Sequence, residues 1–174
     1  LGEAALAEIQ DVDVIWRGQN FVETIFNHTK GEKIHWGVSS HVMEHMPNLL
    51  QFFNDVATFT DDEHAALSQS IPDKRRVFDF LRPLTTYDKI VKDFTNKNTR
   101  HSEAMIMEYF AKVAMPCGQL TITEAQRCPL PKGPHHGPGS GEGMVAKHRK
   151  GEYIDIHNLV TSPINFLSIL NKLI

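Results

Sequence analysis

The chain has 174 residues, of which 41% are hydrophobic and 22% are charged, values close to those of folded globular domains. This composition excludes a disordered tail protein and a collagen-like repeat, and the longest apolar runs fall well short of the roughly 20 residues that span a bilayer. The formal net charge is −3, with both signs interspersed along the chain, so we expect neither a nucleic-acid partner nor a membrane partner.

The start of the chain and the cysteine spacing indicate where the protein works. Residue 1 is Leu, and the acidic flank of residues 1–6 is unlike a signal peptide, so we expect a chain that begins partway through a longer one. Cys117 and Cys128 lack C-x-x-C spacing and are too few for a disulfide framework. The sequence therefore predicts a cytoplasmic protein with one core, a single domain over residues 1–174.

The first part of the chain alternates between strand and helix patterns. Short β-branched or apolar segments predict strands at residues 12–16, 34–39 and 65–71. Apolar residues at helical spacing predict helices at residues 21–26 and 47–56. Because strands alternate with helices of about ten residues, we expect an α/β fold with a mostly parallel sheet and helices on both faces.

The pattern changes after the third strand. Residues 87–94 and 102–114 are two helical stretches with no strand between them, which predicts a helical insertion over about residues 77–128. Residues 129–143 contain four Pro and five Gly and predict a flexible loop. Residues 153–157 return to strand alternation, and Pro163 opens a last helix.

The densest group of polar residues follows the strand at 34–39. It comprises Ser39, Ser40, His41, Glu44 and His45, just before Pro47. In open α/β sheets, ligands bind outside the carboxyl ends of the strands, so these side chains are candidates for a binding site. The alternative is that His41 and His45 only cap the strand end through local hydrogen bonds.

Two other predicted strand ends carry polar residues. Asp73, Lys74 and Arg75 follow the third strand, and Asp155, His157 and Asn158 lie at the end of the strand at 153–157. If these strands are parallel and adjacent, all three groups face one crevice, which predicts a small-molecule site. For residues 73–75 the alternative is a solvated salt bridge in a turn.

Two short motifs offer other chemistry. His41, Glu44 and His45 match the H-x-x-E-H pattern of inverted zinc peptidases, but that pattern requires a helix through residues 41–45 and a third ligand, for which several residues such as Glu124 are candidates. Residues 139–143 spell G-x-G-x-G, but a proline-rich stretch precedes them instead of a strand. We therefore interpret residues 139–143 as part of a linker and not as a phosphate loop.

Three segments together carry a resemblance to a known family. SSHVMEHMP at 39–47, SQSIPDKRRVFDFLRP at 68–83 and YIDIHNLVTSPINFLSIL at 153–170 occur in that order. They resemble the class I S-adenosylmethionine-dependent methyltransferases, in particular small-molecule enzymes and methyltransferase-like proteins. The resemblance implies a partial Rossmann-like sheet, S-adenosylmethionine as cofactor and a small-molecule acceptor, with residues 12–16 as the third strand of that fold.

The resemblance also implies roles for individual residues on the cofactor side. Asp13, at the end of the strand at 12–16, matches the acidic residue near the adenine amino group. Ser39, Ser40 and His41 match the loop that runs along the methionine part of the cofactor. These four residues are therefore the expected cofactor contacts.

On the acceptor side, Asp73 and Lys74 match the end of the next strand and are the expected substrate contacts. The resemblance assigns no general base. His41, His45 and His157 are candidates on chemical grounds, because imidazole accepts a proton near neutral pH.

The chain also departs from the family pattern. The Gly-rich loop and the carboxylate that holds the cofactor's ribose have no counterpart before residue 12, and residues 61–64 replace a Pro-Gly-Gly turn. We therefore expect this chain alone to bind S-adenosylmethionine weakly or not at all, as a fragment or a degenerate relative. The alternatives are a non-catalytic interaction module that self-associates through an open sheet edge and, least favoured, a zinc hydrolase.

Overall fold

The computed structural model of the chain describes residues 13–16, 20–61, 64–115 and 131–173. These residues form a mixed α/β structure, as predicted, with six α-helices, one 3-10 helix and a two-stranded parallel sheet. In chain order the elements are α1 (Phe21–Thr29), β1 (Trp36–Ser40), the 3-10 helix (Met43–His45), α2 (Leu49–Phe59), β2 (Ala66–Ser70), α3 (Tyr87–Thr95), α4 (Glu103–Lys112), α5 (Ser140–Arg149) and α6 (Pro163–Leu170). Within the described ranges, every helix is too short or too polar to cross a bilayer.

The sheet consists of β1 and β2, joined in the chain by α2. The ladder extends past both strands, since the Ala66 N–H donates to the His35 carbonyl at 2.9 Å and the His41 N–H donates to the Ser70 carbonyl at 3.0 Å. The predicted β–α–β unit is therefore present, with strand boundaries within two residues of those expected at 34–39 and 65–71.

The predicted strand at residues 12–16 is wrong for the residues that the structure describes. Residue 12 lies outside them, and residues 13–16 form no strand. Instead, the Trp16 ring packs against Phe21 with 5.4 Å between centroids. β-Branched composition alone does not make a strand, because the backbone also needs a neighbouring strand to pair with.

The chain divides into two compact units. The first comprises Leu1–Gly37 and Phe53–Leu67. Within it, the Asn20 side chain accepts a hydrogen bond from the Glu23 N–H at 3.0 Å and so caps α1, and Lys30 in the left-handed region ends that helix. The ring of Phe21 meets that of Phe59 edge-on at 5.5 Å.

The second unit comprises Val38–Phe52 and Ser68–Ile174 and contains a well-defined core. Its central cluster is buried and draws on α4, α5 and the segment after α5, namely Ile106, Phe110, Val145, Ile154 and Ile156. The helices predicted at 87–94 and 102–114 are confirmed as α3 and α4. Thr86 and Ser102 cap them by accepting backbone N–H groups from the first turn.

Helix α5 starts inside the segment predicted as a loop. Residues 131–139 form no helix or strand, but α5 begins at Ser140, directly after Gly139 in the left-handed region. A Cβ on Gly141 would lie 2.9 Å from Met107 Sδ and 3.4 Å from Met107 Cα. The glycine therefore permits close packing of α5 on α4, which overrides the low helix propensity of this glycine-rich stretch.

The predicted strand at 153–157 is also wrong. The alternation that suggested it is present, since Ile154 and Ile156 are buried while Tyr153 and Asp155 are exposed. However, this segment pairs with no strand of the described chain, and its apolar side chains pack on the helical core instead. The last helix, α6, is confirmed, with Pro163 at its first position.

Candidate functional site

The turn after β1 presents the polar residues that the sequence singled out. His41 adopts a left-handed backbone with φ of 56°, and residues Met43–His45 form a single 3-10 turn. His41 and His45 therefore do not share a face of one α-helix, which is the arrangement that the H-x-x-E-H pattern of zinc peptidases requires. Non-glycine residues rarely adopt a positive φ, and those that do are often found at functional sites.

The segment near residue 158 docks on this turn. The backbone N–H groups of Asn158 and Leu159 both donate to the Glu44 carbonyl, at 2.6 and 3.1 Å. The Asn158 side-chain amide donates to the carbonyls of Met46 and Pro47 at 3.0 and 3.2 Å. The structure therefore brings together two of the predicted polar groups that lie more than a hundred residues apart in the chain.

The third polar group, at the end of β2, joins the same segment. Asp73 forms a parallel bridge with Thr161, and the Lys74 N–H donates to the Thr161 carbonyl at 2.8 Å. The Asp73 carboxylate is bound by Arg75 at 2.6 Å, and this side-chain hydrogen bond lowers the pKa of Asp73. The Lys74 ammonium donates to the Arg82 carbonyl, and burial lowers the pKa of Lys74. Both predicted substrate contacts are thus engaged within the protein.

Four side chains form a cluster that we call the Glu44 cluster: His41, Glu44, His45 and His157. The imidazole nitrogens of all three histidines approach the same oxygen, Glu44 Oε1, with His41 Nδ1 at 3.0 Å and both Nε2 atoms at 4.0 Å. The side chain of Glu44 is fully buried, whereas that of His41 is 54% exposed. The rings of His45 and His157 pack edge-on, 4.7 Å apart. All three predicted catalytic histidines are therefore gathered around one buried carboxylate.

A buried charge network that the sequence did not reveal supports this cluster. His157 Nδ1 lies 2.5 Å from Asp79 Oδ2, and Asp79 Oδ1 accepts from Arg82 Nη1 at 2.8 Å. Arg82 also binds Glu108 at 2.9 Å. Burial tends to raise the pKa of Asp79, but the hydrogen bond from His157 and the charges of His157 and Arg82 outweigh it and hold that pKa below its usual range. The sequence signal for this burial is that Asp79 and Arg82 stand among the apolar residues of the segment 77–82.

The predicted cofactor contacts occupy different settings. Asp13 is exposed on a stretch without a strand. The Ser39 hydroxyl bonds to the Gln69 side chain, and Ser40 is exposed at the last position of β1. An open cavity of about 210 Å³ lies at the end of β2, lined by residues that include Gln69, Asp73 and Thr161. The described residues around this cavity do not enclose a ligand of the size of S-adenosylmethionine, so they do not fit that cofactor on their own.

Comparison of the chain with protein-family models, with curated proteins and with solved structures finds no match.

Proposed function

We propose that this chain is methyltransferase-like and related to the class I S-adenosylmethionine-dependent enzymes, with a partial Rossmann-like sheet and a small-molecule acceptor. One observation carries the proposal. The three sequence segments that resemble this family contact one another, through the Glu44 carbonyl in one place and the Thr161 carbonyl in another. A shared binding rim requires such convergence, whereas unrelated motif matches give no reason to expect it.

Within this proposal, His41 is the residue placed to accept a proton from the acceptor. It is the most exposed histidine of the Glu44 cluster, since the side chains of His45 and His157 are only 24% and 5% exposed. Glu44 beside it would stabilise the imidazolium formed when His41 takes up the proton. The inner histidines are better suited to a structural or ligand-holding role.

The cofactor part of the proposal is tested by a titration that locates weak binding. Backbone amide spectra of the ¹⁵N-labelled chain are recorded with increasing S-adenosylhomocysteine, and ATP serves as the control nucleotide. We expect small, saturable shifts at Ser39, Ser40 and His41 and at the end of β2, with a dissociation constant in the millimolar range and no such shifts with ATP. Calorimetry on the same sample checks the affinity.

One outcome contradicts the proposed family, and a second contradicts the conclusion that the cofactor site is incomplete in this chain. An absence of shifts at millimolar ligand, or shifts confined to residues far from the two strand ends, would remove the link to this family. Micromolar binding of S-adenosylhomocysteine by the chain alone would instead refute the conclusion that its residues do not enclose the cofactor.

A second candidate function, a protein-interaction module, is favoured by the apolar surface of β1. Trp36 and Val38 are two residues apart, so their side chains lie on the same face of this strand, and they are 76% and 82% exposed. A second copy of the chain could cover this face. Sedimentation velocity over a wide concentration range should then show a dimer that Val38→Lys weakens, and a monomer at all concentrations would exclude self-association.

A further inference from the structure

Glu44 is a buried carboxylate that accepts no hydrogen bond within the described part of the chain. Its side chain is fully buried, and neither carboxylate oxygen accepts a hydrogen bond from the described residues, because His41 Nδ1 at 3.0 Å is not aligned for one. A buried carboxylate that accepts no hydrogen bond is costly unless a cation faces it. The single positive charge of Arg82 is already shared between Asp79 and Glu108.

The two inner histidines direct free nitrogens toward Glu44. His157 Nδ1 meets the Asp79 carboxylate at 2.5 Å, and because a carboxylate only accepts hydrogen bonds, Nδ1 carries the proton. In the neutral form of this tautomer, the lone pair is on Nε2, which lies 4.0 Å from Glu44 Oε1. In His45, Nε2 also lies 4.0 Å from Glu44 Oε1, while Nδ1 lies 2.8 Å from Asp155 Oδ1 without forming a hydrogen bond with the described residues.

This arrangement is typical of metal ligands. Histidines that bind a metal usually donate their other ring N–H to a carboxylate, which sets the tautomer and orients the ring. Here Asp79 orients His157 in this way, and the Asp155 carboxylate lies beside Nδ1 of His45. Both rings face Glu44, and the three candidate ligand atoms lie within 4.8 Å of one another. Ligand atoms around tetrahedral zinc are about 3.3 Å apart, so closure on an ion needs shifts of about 1 Å.

We propose that Glu44, His45 and His157 bind one divalent transition-metal ion, with zinc as the best match. Two imidazole nitrogens and one carboxylate oxygen form a borderline donor set that suits zinc, and three protein ligands leave one coordination position open. The inference goes beyond the proposed function, and it differs from the peptidase pattern because His41 is not a ligand. The open position would take an oxygen or nitrogen atom of a small molecule.

The test uses the whole 174-residue chain, stripped of metal with a chelator and dialysed. Zinc is titrated by calorimetry, and Co²⁺ absorption reports coordination geometry. We expect one ion per chain with a micromolar or tighter dissociation constant and a tetrahedral Co²⁺ spectrum. Glu44→Gln should weaken zinc binding by more than about 100-fold, and Asp155→Asn should weaken it by about 10-fold. His64→Gln, at an exposed histidine, is the matched control and should bind like the wild type.

Asp155 keeps the test decisive, because its side chain is 70% exposed and its replacement should leave the fold intact even if Glu44→Gln unfolds. The proposal is overturned if the wild type binds no zinc at millimolar concentration, or if Asp155→Asn binds zinc as tightly as His64→Gln does. Loss of binding in His41→Gln as large as in Glu44→Gln would also overturn it, since that result assigns the ion to the outer histidine. None of these readouts depends on S-adenosylhomocysteine, so failure here is distinguishable from failure of the methyltransferase proposal.

Discussion

His157 and Asp79 are 78 residues apart in sequence, yet their side chains meet at 2.5 Å in the interior of the second unit. This contact links the Glu44 cluster to the buried Asp79–Arg82 pair. On one side, Asp79 is bound by the buried Arg82, and on the other, His157 faces Glu44 and the turn after β1. The orientation of the Glu44 cluster therefore depends on a charge network outside it.

The first prediction concerns Arg82, which is almost fully buried and binds two carboxylates. Replacing it with Met leaves Asp79 and Glu108 without their cation, which should lower the free energy of unfolding by about 3–5 kcal/mol. Urea denaturation followed by circular dichroism measures the change. Arg75→Met is the control, because the Asp73–Arg75 pair is exposed on the arginine side, and its loss should leave stability nearly unchanged. Equal effects of the two substitutions would contradict the burial of the network.

The second prediction compares two glycines of α5 that lie two residues apart. Gly141→Ala places a methyl group 2.9 Å from Met107 Sδ, so the Met107 side chain must shift, and this shift should offset most of the gain in helix propensity. Gly143→Ala meets no atom within 4 Å and should stabilise the helix by up to about 1 kcal/mol. Thermal unfolding of both variants distinguishes the two effects. If Gly141→Ala is the more stable variant, α4 and α5 do not pack as described.

The third prediction concerns pH and His101. Burial lowers the pKa of this imidazole from 6.5 to about 4, with smaller contributions from His45 and Lys89. Among the residues that the structure describes, none forms a hydrogen bond with either ring nitrogen. The unfolded chain then takes up a proton at a pH where the folded chain does not. The free energy of unfolding is therefore highest above pH 6.5 and declines as the pH falls toward 4, by an amount on the order of 3 kcal/mol.

This decline is measured by urea unfolding at a series of pH values. His101→Phe should flatten the stability profile between pH 6.5 and pH 4, because it removes the group that titrates differently in the two states. His28→Gln, at an exposed position of α1, should keep the wild-type profile. A His101→Phe profile parallel to that of the wild type would show that another group causes the pH dependence.

Much of the secondary structure could be predicted from the sequence, and the reasons for the failures are physical. The periodicity of α1, α3 and α6 and the strand composition around β1 and β2 are local signals that can be recognised in the sequence. Residues 13–16 and 153–157 carry strand composition but lack a strand to pair with in the described chain. Packing on α4 stabilises the start of α5, and the helix propensity of the local sequence does not include this tertiary contribution.

The candidate site was partly predictable for a related reason. The sequence points to His41, His45 and His157 because each lies near the end of a predicted strand. The turn after β1 and the segment near residue 158 do lie together, although residues 153–157 form no strand. The Asp79–Arg82–Glu108 network was not predictable, because the pairing of charges distant in sequence depends on the fold. The position of Glu44 beside three histidines likewise depends on the fold, because His157 is distant from it in sequence.

Amide hydrogen exchange of Asn158 and Leu159 tests the central claim most directly, namely that the segment near residue 158 docks on the turn after β1. Both N–H groups are donated to the Glu44 carbonyl, and both residues are buried. They should therefore exchange as slowly as core amides of α4 such as Phe110, while the exposed Tyr153 exchanges rapidly. Exchange of Asn158 and Leu159 at the rate of Tyr153 would contradict the docking and, with it, the convergence of the motifs on which the proposed function rests.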